Sequence, residues 1–296
     1  MQQQLTLKKS NEAPLAAERY PHGSVPISGD SLALLNALDG LFLLFADELK
    51  AKDHQYSCFI NSQELRKLDY LHSFPQHATF PAMLDDADNN LAAFSQSDII
   101  GDDNEIKLTS LSPVKNLLTP AACYHVYIDY QDSELESPMV LTTKNTCFRR
   151  EKEYIPLERQ WSFTMRELVC IGTEQDVDNF LLGMSQKLDA LFKTLALPVA
   201  WIVATDPFFN PSKNPKYLTQ KLAPNKWEMQ YADRLAIGSR NNHRNYFGET
   251  FNININSKPA HSACVAFGLE RWLSAFLETH GPSKSGWPVD VLESIL

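Results

Sequence analysis

The chain has 296 residues, 44% of them hydrophobic and 21% charged, the composition of an ordinary globular polypeptide with room for one large or two modest domains. Its formal net charge of -9 argues against broad contact with a nucleic-acid backbone, which needs a basic face to displace counterions. Five scattered cysteines (58, 123, 147, 170 and 264) contain no CxxC pair, so no disulfide framework is expected and a reducing cytoplasm fits. Met1–Ser10 lacks the apolar centre of a signal peptide, and no apolar run reads as long enough to span a bilayer, so a cytoplasmic location without membrane contact is expected.

In chain order, residues 1–28 are polar with Pro14, Pro21 and Pro26, which predicts a flexible lead-in before a folded unit over 29–296. Leu34, Leu38, Leu41, Phe45 and Leu49 recur at helical spacing and predict an amphipathic helix over Ser31–Lys52. The acidic stretch Asp85–Asp103 reads as a loop or weak helix, and Cys123–Tyr130 as β-rich. Thr146–Glu151 and Phe163–Ile171 read as two strands of a hairpin whose long polar connection holds Pro156. A second helix is predicted over Glu174–Leu195, where Val177, Leu181, Met184, Leu188, Leu191 and Leu195 share a face. Trp201–Thr205 and Phe251–Ile255 read as further strands, and Leu269–Leu277 as a closing helix.

Strand alternation turns this outline into a candidate site. It puts Arg149 and Glu151 on one face, and Phe163, Met165 and Glu167 on one face. A guanidinium fork fits a phosphate, a flat ring fits a nucleobase, and a carboxylate can accept from an exocyclic amine. Taken alone, the hairpin is more simply a surface element with cross-strand ion pairs.

Further residues carry a resemblance. Phe148-Arg149-Arg150-Glu151, with Arg159 four residues before Phe163, resembles motif two of the class II aminoacyl-tRNA synthetases, and Phe267-Gly268-Leu269-Glu270-Arg271 resembles their motif three. Thr119–His125, Cys147–Glu151, Phe163–Glu167 and Ser262–Arg271 resemble more closely the amino acid:[carrier protein] ligases, truncated relatives of the zinc-dependent seryl-tRNA synthetases. Tyr70–Pro75 and Ala204–Phe209 share that likeness, which covers about residues 30–290. It implies an α/β (α+β) class II synthetase-like core of antiparallel sheet flanked by helices, a homodimer, and no tRNA-holding arm. The unit over 29–296 is then the catalytic domain.

The resemblance also implies roles. Cys123, Glu167 and Cys264 match zinc ligands, with one coordination position left for the amino group of the substrate; spacing alone gives no metal signature, and a buried cysteine is usually a small hydrophobe. Arg149 would hold the α-phosphate of ATP, Arg159 and Arg271 the distal phosphates, and Phe163 with Glu151 the adenine, with magnesium accompanying the nucleotide. Arg149 and Arg271 would thus be the catalytic pair. A small amino acid, glycine or alanine, would be activated and passed to the phosphopantetheine thiol of a carrier protein. Seryl-type enzymes place a carboxylate where this chain has Ala236, and the proline usual near the end of motif one is absent around Phe59–Ser62.

Other conspicuous residues have plainer readings. Ser239–Phe247 lies where the resembled family lines its active site, which implies that Asn242 contacts substrate, although the segment reads equally as a polar turn. His125 is expected to be a structural hydrogen-bonding histidine, and Cys147 strand core. Lys213, Lys216, Lys221 and Lys226 form a basic stretch that suits an acidic carrier protein or simply a solvated loop. A seryl-type tRNA synthetase and a non-catalytic paralogue are the alternatives: the acidic charge disfavours the first, and Arg149, Glu151, Phe163 and Arg271 together disfavour the second.

Overall fold

The computed structural model describes residues 22–288. The chain runs α1 (Gly29–Glu48), β1 (Lys52–His54), β2 (Phe59–Asn61), α2 (Ser62–Leu68), α3 (Tyr70–Ser73), α4 (Asp88–Gln96), β3 (Asn116–Leu118), α5 (Tyr124–Asp129) and β4 (Glu134–Leu135). A long hairpin follows, β5 (Met139–Phe148) and β6 (Ser162–Gly172), then α6 (Glu174–Thr194), β7 (Val199–Val203) and α7 (Pro215–Leu222). The last part is β8 (Lys226–Tyr231), β9 (Leu235–Arg244), α8 (Tyr246–Phe251), β10 (Asn254–Ile255), β11 (Lys258–Pro259), β12 (His261–Gly268) and α9 (Leu269–His280).

The central sheet has the order β1-β5-β6-β12-β9-β8-β7. Its pairs are antiparallel except for β1 with β5, so the expected antiparallel sheet is mixed at one edge. β9 carries two β-bulges: one residue, Ile237, is extra against β8, and another, His243, is extra against β12.

One face of the sheet, including Leu168, Ile237, Val265 and Phe267, is covered by α1, α6 and α9. The Phe42 ring stacks on Phe267 with centroids 3.8 Å apart, and both are fully buried. Truncating such a ring to alanine costs about 3–5 kcal/mol. By length and composition α1 is apolar enough to cross a membrane, contrary to the sequence expectation, yet here Leu34, Leu38 and Phe42 are buried in this core. A reciprocal capping box between Thr173 and Asp176 starts α6 where the periodicity placed it. On the other face α5 and α8 cover only part of the sheet, burying Val126, Tyr127, Phe247 and Phe251, and the remainder is open.

Two predicted strands are different in the structure. Cys123–Tyr130 contains α5, because Cys123, Val126 and Tyr127 reach the core at i, i+3 and i+4 and that packing outweighs the β-propensity of the segment. Phe251 ends α8, and Asn252 in the left-handed region (φ 52°) breaks the chain before the short β10. The lead-in also differs where it is described: Val25 and Ile27 pack against the core, while residues 1–21 lie outside the described range.

Candidate active site

The open part of the sheet is the floor of a cavity of ≈ 600 Å³. Alternation aims Phe163, Met165 and Glu167 of β6, Cys264 and Ala266 of β12, and Ser239 and Asn241 of β9 into it. Arg149 and Glu151 enter from the connection after β5, and Arg271 from the first turn of α9.

At one end, one donor atom from each of Cys123, Glu167 and Cys264 lies within 4.8 Å of the others, and all three residues are buried. Glu167 Oε1 accepts from the amides of Ala122 (2.9 Å) and Cys123 (3.1 Å), which fixes the carboxylate and leaves its second oxygen for another partner. The Cys123 thiol is pushed well up by its hydrogen bond with Cys264, by burial and by the Glu167 charge. For Cys264 the hydrogen bond with Cys123 pulls downward, but burial and Glu167 outweigh it, so this thiol is raised too. Two thiols and a carboxylate packed together are a donor set for zinc, whose positive charge reverses this penalty on the thiolates. Asn241 Nδ2 donates to Cys264 Sγ at 3.3 Å, and His243 Nε2 lies 3.6 Å from the same sulfur. The other ring nitrogen of His243 meets Tyr127 Oη (3.1 Å) and Ser262 Oγ (3.2 Å), and burial pushes its pKa down to about 4, so the ring is neutral.

At the other end are the arginines. Arg149 Nε donates to the Pro120 carbonyl at 2.8 Å, and its guanidinium covers the Phe163 ring at 5.2 Å. Below Phe163, Ala122, Cys147, Met165 and Ala266 form a small apolar bed, so Cys147 has the core role expected of it. Arg271 donates through Nε to the Glu158 carbonyl (2.6 Å) and through Nη1 to the Ala236 carbonyl (2.9 Å). Its pKa is pulled down by burial and by repulsion from Arg149 and Arg159, the signature of a positive cluster short of anions. Arg159 pairs with Glu151 at 3.5 Å. On β8, in register with Asn241 and through it with Cys264, Lys226 Nζ bonds Asp206 Oδ1 at 2.7 Å; burial works against both charges, but each holds the other ionised.

The sequence-based candidates are thus mostly together: Cys123, Glu167, Cys264, Arg149, Glu151, Phe163 and Arg271 line one cavity, with Arg159 beside Glu151. Asn242 does not join them. Its side chain donates to Asp178 on α6 (3.4 Å) and accepts from the Arg244 amide, because alternation along β9 turns Asn241 and His243 inward and Asn242 outward. Applying the strand period to this segment, instead of reading it as a turn, would have found both inward residues. Lys226 is likewise a wall of the cavity and not a surface lysine. Lys216 is held by Asp69 at 2.9 Å, while Lys213 and Lys221 are exposed. β5 stops at Phe148, so it is the following loop and not strand alternation that turns Arg149 in and leaves Arg150 exposed. His125 hydrogen bonds the Phe59 carbonyl at 3.1 Å, the structural role expected.

Residues 115–280 match the tRNA synthetase class II core domain (G, H, P, S and T). Amino acid–[acyl-carrier-protein] ligase 1 of Bradyrhizobium diazoefficiens is 38% identical over 237 residues, 77% of this chain and 71% of that protein. The chain belongs to this ligase family. Ligase 2 of the same organism is 35% identical over 242 residues, 78% of this chain and 71% of that one. The family fold is that of the class II synthetases: the crystal structure of A. aeolicus tRNASec in complex with M. kandleri SerRS superposes with TM-score 0.74 at 20% identity. The superposition covers 90% of this chain and 55% of that synthetase chain, so the ligase spans about half of its length.

Proposed function

We propose that this enzyme activates a small amino acid with ATP and transfers it to the phosphopantetheine thiol of a carrier protein. The observation that carries the reading is a single cavity with a buried Cys123–Glu167–Cys264 group at one end and the Arg149–Phe163–Arg271 group at the other. An amino acid held at the first end presents its carboxylate towards a nucleotide held at the second.

In the first step a carboxylate oxygen of the amino acid attacks the α-phosphorus of ATP; the bond to the bridging oxygen breaks and pyrophosphate leaves, giving an aminoacyl adenylate. Arg149 steadies the charge on the α-phosphate, and Arg159 and Arg271 that on the leaving phosphates. Phe163 and Glu151 hold the adenine, and magnesium accompanies the nucleotide. Cys123, Glu167 and Cys264 would hold zinc, which would supply a Lewis acid for the uncharged amino group of the substrate. In the second step the thiol attacks the adenylate carbonyl carbon, AMP leaves and a thioester forms. A thiolate needs little activation, so no dedicated base is assigned. Glycine or alanine is the favoured substrate, since Asn241 and His243 crowd the Cys264 sulfur and restrict the space beside the triad.

The names of the two Bradyrhizobium relatives support the carrier protein as acceptor. We further propose a homodimer, with the exposed Phe80, Met83, Leu111 and Val114 as the apolar surface to be covered. The test is amino-acid-dependent ATP–pyrophosphate exchange over all common amino acids, followed by mass analysis of a holo carrier protein. One aminoacyl mass added to the holo carrier, released by hydroxylamine and missing from the apo carrier, is expected; efficient charging of tRNA with no carrier product would overturn the reading.

A further inference from the structure

The connection between β5 and β6 holds Glu151, Glu158 and Arg159, and a long polar loop of this kind is ordinarily free to move. Here it is clasped from both sides. Inside, Ile155 and Arg159 exchange backbone hydrogen bonds at 2.8 Å each, and Arg271 Nε holds the Glu158 carbonyl. Outside, His22-Gly23-Ser24 crosses its base. The Trp161 amide donates to the His22 carbonyl at 3.0 Å, and Ser24 Oγ lies 3.3 Å from Ser162 Oγ. The His22 ring packs edge-on against Trp161 (4.4 Å) and Tyr154 (5.5 Å). Gly23 has φ +72°, and a Cβ there would overlap the Arg159 carbonyl oxygen and sit 3.3 Å from Gln160 Cα. Both the left-handed backbone and the closeness of this crossing thus require glycine. Val25 and Ile27, packed on the core, tie the crossing segment to α1.

We propose that His22-Gly23-Ser24 is a strap that fixes the 149–161 connection in the conformation that receives ATP, and that Gly23 is a positioning residue for Arg159. The inference rests on Arg159 and its neighbours being phosphate ligands, as in the proposed function. The strap lets the backbone of Arg159 stay fixed while its side chain exchanges Glu151 for phosphate. The strap touches neither the Cys123–Glu167–Cys264 end nor the amino-acid space, so its loss acts on one substrate only.

The test uses the full chain with Gly23→Ala and, as a milder second variant, His22→Ala. Pyrophosphate exchange gives KM for ATP and for the amino acid separately, and elemental analysis gives the zinc content. The expected result is a KM for ATP raised about tenfold in Gly23→Ala and less in His22→Ala, with the amino-acid KM and the zinc content within about twofold of the native protein. Unchanged KM for ATP in both variants overturns the proposal, and so does a parallel rise of both KM values, which marks a merely structural contact. If the native protein catalyses no exchange with any amino acid, the functional reading fails on its own. Calorimetric ATP binding then tests the strap: about tenfold weaker binding in Gly23→Ala upholds it, and equal binding overturns it.

Discussion

The guanidinium carbon of Arg149 lies over Phe163, 5.2 Å from the ring centre, with its Nε already committed to the Pro120 carbonyl. Two terminal nitrogens are left to meet an anion, and the backbone contact fixes the direction they face. An arginine oriented in this way needs little reorganisation when charge develops on a phosphate, and that economy is where electrostatic catalysis gains its strength.

Arg149→Ala is therefore expected to slow pyrophosphate exchange by about 10²–10³-fold. Arg150→Ala, at an exposed neighbouring position, should change it by less than about threefold. Equal loss in the two variants would mean that the loop presents these side chains differently.

The native protein should carry about one zinc per chain, and Cys264→Ala should lose it together with amino-acid activation, since two remaining donors are too few to hold the ion. Fully active protein without zinc in elemental analysis would refute the metal assignment.

Asn241→Ala should raise KM for the amino acid about tenfold, because it removes the hydrogen bond that orients the Cys264 sulfur at the cavity wall. Asn242→Ala, which alters only a surface contact with Asp178, should stay within about twofold. The reverse order would restore the turn reading of this segment.

On the opposite face of the sheet, Asp39 accepts from Arg166 and from Lys144 at 2.8 Å. Burial raises its pKa, but the two cations outweigh burial and the net shift is downward from 3.8. A depressed carboxylate pKa stabilises the fold above pH 3.8, and that contribution fades as pH falls through the lower folded value. Asp39→Asn should cost about 3–5 kcal/mol at neutral pH, because it leaves buried Arg166 with only the exposed and more distant Asp53 carboxylate at 3.9 Å, and the penalty should shrink on acidification. Denaturant melts at pH 7 and pH 3 measure both; a penalty that grows in acid would contradict the assignment.

With Lys216 and Lys226 engaged by Asp69 and Asp206, Lys213 and Lys221 are the exposed charges of this stretch on which an acidic carrier protein would dock. Charge reversal at both should raise the KM for carrier protein severalfold while leaving pyrophosphate exchange intact. Unchanged carrier kinetics would move the docking surface elsewhere.

Much of this site was legible because its chemistry sits in short strings. Phe163, Met165 and Glu167 lie on one long strand whose period 2 is strict, so their common face follows from sequence alone, whereas Cys123 and Cys264 follow only from the family resemblance because the pairing that brings them to Glu167 is long-range. α6 was legible for the analogous reason, with a capping box and an unbroken apolar stripe. α5 was not, because Tyr124–Asp129 is short and built of residues that favour strands, and only its burial against α8 makes it helical. Lys226 looked like a surface charge because its partner Asp206 lies twenty residues earlier, and nothing local in sequence announces the pair. The crossing at Gly23 was hidden in the same way: it depends on Arg159, more than a hundred residues away.

The two bulges of β9 bracket the segment Gly238–Asn242, whose pairing with β12 is regular from Phe267 back to Ala263. Each extra residue absorbs length at its own end, so the middle of the strand is buffered from what happens in the loops beyond. This makes Ser239 and Asn241 a replaceable cassette in the cavity floor. Their side chains can change to suit another amino acid while the backbone hydrogen bonds, the strand phase and the placement of Cys264 opposite Asn241 stay as they are.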